Sequence, residues 1–133
     1  MNRVIKFRAW DKDGKSMWTN IGMNLDKILN NERFEVMQFT GVLDKHGKEI
    51  YEGDILKHEF ERKGVKKHTH TKVVWGEAFL SWAAVTYFQD SSLKPMWTNL
   101  TSPKVFGKER HDEEIVGNIF ENPELLHPPS NQT

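Results

Sequence analysis

The chain has 133 residues, balances 19 Lys and Arg against 19 Asp and Glu, and carries five tryptophans and no cysteine. That length suits one domain, or two small parts sharing a core. The missing cysteines exclude disulfides, thiolate metal sites and a cysteine nucleophile. Balanced charge gives no global basic field of the kind a dedicated nucleic-acid binder carries, and no apolar run nears the roughly 18 residues of a membrane span.

The amino terminus, MNRVIKFRAW, is charged and lacks a signal-peptide core, so the expected location is the cytoplasm. From Ile5 to Trp10 the residues alternate. Ile5, Phe7 and Ala9 share one face, and Lys6, Arg8 and Trp10 the other, which predicts a strand. Asp11-Lys12-Asp13-Gly14-Lys15 reads as a turn with Gly14 supplying the positive φ, and Ser16-Met17-Trp18 as the returning strand. Ile21, Leu25, Ile28 and Leu29 fit a short helix over 25–30 with Asn24 as its cap, and an irregular loop with one turn of helix fits nearly as well. A strand follows over 34–39. Asp44-Lys45-His46-Gly47-Lys48 repeats the D-K-x-G-K form of the first turn, as ordinary hairpin turns demand.

Ile50-Tyr51, a turn at Glu52-Gly53, and Asp54-Ile55-Leu56-Lys57 continue the antiparallel pattern. Residues 60–71, FERKGVKKHTHT, read as a projecting hairpin with its tip near Gly64. A short strand over 72–75 is turned by Gly76-Glu77. The apolar run 79–88 predicts a strand with a bulge near Ala83-Ala84. Residues 89–111 read as loop, anchored to the core by Met96-Trp97. Residues 115–120 form a last strand whose Gly117 marks a bulge or a close approach. Pro123 opens one helical turn, and 127–133 is a disordered tail.

Four blocks of this chain, IKFRAWD, FTGVLDKHGKEIYEGDIL, VVW and VGNIFENPELL, resemble in order and spacing the YopX family of phage and prophage proteins. The resemblance implies an accessory protein of a bacteriophage or prophage in the cytoplasm of the bacterial host. It also implies a β-rich α+β fold and a small barrel-like C-terminal part, and it supplies no catalytic residues. Together with the pattern above, the expected fold is α+β, mainly β. Antiparallel strands end in a C-terminal small SH3-like open barrel, with one or two short helices. The expected division is an N-terminal mixed part over 1–45 and a C-terminal β-rich part over 46–126 sharing one core.

The candidate sites are few. Gly53 and Asp54 read as a structural turn, since turn chemistry accounts for both residue types. Arg62, Lys63, Lys66, Lys67, His68, His70 and Lys72 form a basic cluster able to touch phosphate or a protein partner. His68 and His70 share a strand face, and with His58 across a hairpin they offer three nitrogens to a zinc ion. A metal-dependent enzyme using Asp54 and the histidines is the least favoured reading, and no cofactor is expected. Asp11, Asp13 and Gly14 lack the rest of a calcium loop, with Gly22 at the closing position. Walker, G-x-G-x-x-G, G-x-S-x-G and H-E-x-x-H motifs are absent, which disfavours common nucleotide-binding and hydrolase architectures. The favoured function is a non-catalytic interaction module, acting as a homo-oligomer or on a host or phage protein. Its surface is the 60–71 hairpin with whichever tryptophans are exposed. Nucleic-acid binding through the hairpin is the alternative.

Overall fold

The computed structural model describes residues 4–77, 81–86, 94–100, 104–105, 108–109 and 113–126. Its first sheet has four strands in the order β2-β1-β3-β4: β1 (Phe7–Asp11), β2 (Ser16–Trp18), β3 (Phe34–Leu43) and β4 (Glu49–Tyr51). The second has five: β5 (Asp54–Arg62), β6 (Val65–Gly76), β7 (Ser81–Thr86), β8 (Met96–Asn99) and β11 (Glu114–Asn118), in the order β11-β5-β6-β7-β8. A two-stranded ladder joins β9 (Lys104–Val105) to β10 (Lys108–Glu109). All these pairings are antiparallel, so the protein is mostly β. The one α-helix described, α1 (Leu25–Leu29), follows a 3-10 turn over Gly22–Asn24.

The opening hairpin forms as its alternation predicts, but its turn works differently. Lys15, not Gly14, takes the positive φ, at 55°. Gly14 is needed for space: a Cβ there would lie 2.6 Å from Asp11 Oδ2. That oxygen belongs to a carboxylate whose Oδ1 accepts the Asp13 and Gly14 amides at 3.0 Å each. The second D-K-x-G-K turn uses the same device. Asp44 Oδ1 accepts the His46 and Lys48 amides at 2.8 and 2.9 Å, and here Gly47 does take a positive φ, 80°. Asn24, predicted to cap α1, makes no side-chain cap bond, because the chain already coils in the 3-10 turn before the helix.

Three further expectations are corrected. The strand foreseen over 72–75 is the end of one twelve-residue strand, β6, because the polar stretch before it stays paired to β5 out to Arg62 and Val65. The run from Ser81 to Thr86 pairs with β6 in unbroken register, so no bulge falls at Ala83-Ala84. The rest of that run, residues 79–80 and 87–88, lies outside the described residues, as does the tail 127–133. In the loop-rich region, Trp97 is half exposed and Leu100 is the buried anchor. Gly117 meets its expectation on both counts. The β11–β5 register shifts there, and a Cβ would fall 2.4 Å from Asn122 Oδ1.

Two apolar clusters result. Ala9, Ile21 and Ile28 pack with Phe7, Leu25, Phe34 and Val36 between the first sheet and α1. Leu56, Val73, Trp82, Ala84 and Leu100 pack with Ile50 of β4 into a second cluster, over the five-stranded sheet. The sheets meet at Gly53. Its N–H donates to Val73 O at 2.8 Å, and its carbonyl accepts from Ile119 N–H at 2.9 Å. Its φ is +87°, and a Cβ would sit 3.3 Å from Met37 Sδ. Left-handed backbone costs an L-residue about 1–2 kcal/mol, so Gly53→Ala is expected to lower the unfolding free energy by at least that much. Urea denaturation reads this directly, and an unchanged midpoint would contradict it.

Candidate interaction surfaces

The hairpin of β5 and β6 extends past the rest of its sheet as an arm. Residues 61–68 are all exposed. Its reversal is a two-residue turn in which Lys63 and Gly64 both take positive φ, 53° and 77°, as a type I′ turn requires. Register then sorts the predicted basic residues. Lys66, His68, His70 and Lys72 lie on one face of β6, opposite Glu61, Glu59, Lys57 and Ile55 of β5. Lys67 and Arg62 fall on the other face, and Lys63 sits in the tip. The sequence cluster is therefore one basic face diluted by two glutamates, with the remaining cations distributed around it. Lys57 and Glu59 form an ion pair at 3.2 Å.

The three-histidine zinc site does not form. His58 pairs with Thr69, so its side chain leaves the face that carries His68 and His70, and it is fully buried. Among the described residues, no three His, Asp or Glu side chains converge as metal ligands. His68 and His70 do meet, with ring centres 5.2 Å apart. Burial, the neighbouring His68 and Lys57 all push the His70 ring below the usual imidazole range, against a smaller opposing pull from the Leu125 backbone.

Asp54 serves the fold. Its Oδ1 accepts from Arg8 Nη2 at 2.7 Å and its Oδ2 from the Tyr51 N–H at 2.8 Å. Arg8 lies over the Tyr51 ring, 4.7 Å from its centre. Burial pushes the Asp54 carboxyl up, against the pull of Arg8 and the amide, and burial raises Glu52 likewise. The other buried aspartates are equally engaged. Arg33 grips Asp11 with a two-pronged contact at 2.7 Å on each oxygen, which holds that carboxyl far below the ordinary range. Asp44 reaches across to the Ile115 N–H at 3.1 Å. Asp11, Asp44 and Asp54 are thus each held in place by backbone amides, an arginine or both.

Two surface features escaped the sequence. An open groove of about 790 Å³ runs between β1, β2, the 3-10 turn and β4, lined by Ile5, Phe7, Met17, Met23 and the Lys6–Glu49 ion pair. Met23 is wholly exposed at its rim. No periodicity announces such a groove, because strands and a turn separated by some forty residues build it. The tryptophans also divide. Trp10 stacks on Phe120 with centres 5.5 Å apart and Trp82 is buried, whereas Trp18, Trp75 and Trp97 are 43%, 46% and 50% exposed. No helix among the described residues is long and apolar enough to cross a membrane.

Comparison with known proteins fits this picture. The fold is similar to the crystal structure of protein EF1440 from Enterococcus faecalis, with a TM-score of 0.56 and 23% identity over 94% of this chain and 99% of that one. At that identity the likeness concerns the fold alone. No curated protein matches the chain significantly. Residues 24–127 match the model of the family described as YopX protein, a span that takes in the central and C-terminal signature blocks and leaves IKFRAWD outside it. With most of its length inside that match, the chain belongs to the YopX family.

Proposed function

We propose that this chain is a non-catalytic accessory protein of a phage or prophage, working in the host cytoplasm as an interaction module that associates with itself through the β5–β6 arm. The observation carrying this reading is a charge division. Residues 57–72 hold six Lys and Arg and two Glu, a net +4. Because the whole chain balances at 19 against 19, the remainder carries −4. A basic arm on an acidic body suits a second copy of the same chain, in which arm and body face one another. A host or phage protein with an acidic face is the related partner. Half-exposed Trp75 on β6 offers an aromatic anchor of the type interface centres favour. An SH3-like curl of the five-stranded sheet belongs to the same reading, since small barrels bind through loops and sheet edges.

Light scattering across a salt series tests the proposal. Association at low ionic strength, weakening as screening shortens the reach of the charges, is expected. The variant K66E/K67E, altered at two exposed positions, should be monomeric throughout. A wild-type chain that is monomeric at every salt concentration would remove self-association. The second reading is nucleic-acid binding, favoured by Lys66, His68, His70 and Lys72 sharing one face. Glu59 and Glu61 on that face weigh against it. A gel shift that weakens steeply with salt would support it, and retention indifferent to salt would not.

A further inference from the structure

We infer that His68 and His70 form a two-imidazole site for a borderline divalent cation, Zn2+, Ni2+ or Cu2+, at the root of the arm. The residues are alternate positions of one strand and so point from the same face. Their ring centres are 5.2 Å apart. With each coordinating nitrogen about 2.0 Å from a metal and roughly 1.1 Å from its ring centre, two imidazoles on one tetrahedral ion have centres roughly 5.2 Å apart. The two rings meet edge-on, 68° apart in plane, at a spacing that matches a chelate once small side-chain rotations turn a nitrogen of each toward the ion.

The Leu125 backbone, in the 3-10 turn over Pro123–Leu125 that follows β11, lies on the His70 ring and favours its protonated form. A ligating histidine ordinarily turns its second nitrogen to a backbone group of this kind. His68 is exposed, so water can occupy the remaining coordination positions. Lys57 and Glu59 face the pair from β5, and Lys66 and Lys72 flank it on β6. The Lys57–Glu59 ion pair offsets part of the positive field. The surplus cations weaken binding of any dication alike, so the ranking among metals follows the imidazole preference, with Cu2+ strongest. The site needs no association between copies, and its test is separate from that of the arm.

Calorimetric titration of the full chain with Ni2+, and electron paramagnetic resonance with one equivalent of Cu2+, test the inference. One ion per chain and hyperfine coupling to two nitrogens are expected. H68A, at an exposed position, and H70A should each weaken binding by roughly tenfold or more, since losing one arm of a chelate forfeits its effective concentration. H46N, changing an exposed imidazole on another turn, should bind as the wild type does. Far-ultraviolet circular dichroism checks that H70A is folded, and H68A decides the matter if it is not. No binding by the wild-type chain, or undiminished binding by folded H68A, would overturn the site.

Discussion

Arg8→Met is expected to cost about 3–5 kcal/mol of stability, because it leaves a carboxylate buried without its counter-charge. Asp54 is almost fully buried and Arg8 nearly so, so water screens this pair far less than the surface ion pairs. Arg8 also stacks on Tyr51 and reaches the Glu52 carbonyl at 3.4 Å. Methionine keeps the stem and removes the fork. Introducing Asp54→Asn into the same chain should recover a substantial share, since a neutral amide no longer strands a charge while its oxygen can still accept the Tyr51 N–H. A urea double-mutant cycle measures both effects. Simple additivity of the two substitutions, or a single-variant cost below about 1 kcal/mol, would contradict the assignment. The sign with pH is also fixed. Burial raises the Asp54 carboxyl in the folded state, so the folded form takes up a proton before the unfolded chain does. The deficit of Arg8→Met should therefore narrow as pH falls toward the unfolded value near 3.9.

Asp44→Ala is expected to cost about 2–3 kcal/mol. The carboxylate accepts three backbone amides, those of His46, Lys48 and Ile115. The first two lie in an exposed turn that water can serve. The Ile115 amide lies on β11, which borders the core, and loses its acceptor outright. Hydrogen exchange at Ile115 should accelerate well beyond that at its neighbours, a readout that global destabilisation alone does not give. Uniform acceleration across β11 and β5 would contradict the local role. Burial works against ionisation of Asp44, but the three amides outweigh it and hold the carboxyl below the ordinary range. This contribution is fully present above the unfolded value near 3.9 and is lost as pH falls through the lower folded value. Removing Asp44 should flatten the acid limb of the stability curve without abolishing it, because Arg33 holds Asp11 low in the same direction.

The strands that pair with sequence neighbours were legible as period-two alternation and Gly turns: β1 with β2, β3 with β4, and β5 with β6 through Lys63-Gly64. What stayed hidden was long-range. Nothing local says that Arg8 will meet Asp54, that Asp44 will seize the Ile115 amide, or that Gly53 will bond both Val73 and Ile119. The length of β6 was hidden too, because charged residues on a projecting hairpin look like loop. His58 was misplaced through register, where one residue decides the face. The four blocks that carry the family resemblance converge on a single junction. Arg8, Asp54, Val73 and Ile119 come one from each block or its flank, and Trp10 stacks on Phe120. The signature is therefore one of architecture, and the candidate interaction surfaces, the arm above all, lie largely outside it.

The knot of bonds at Gly53 bears on how the molecule acquires its shape. Its two partners, Val73 and Ile119, are distant along the backbone, so the junction closes only after two long excursions of chain have been brought home, and the entropy of those closures must be met first. Refolding should consequently be slow for a polypeptide of this length, with both sheets gaining protection in one concerted step. Synthesis on the ribosome cannot complete the junction until Ile119 has emerged from the exit tunnel.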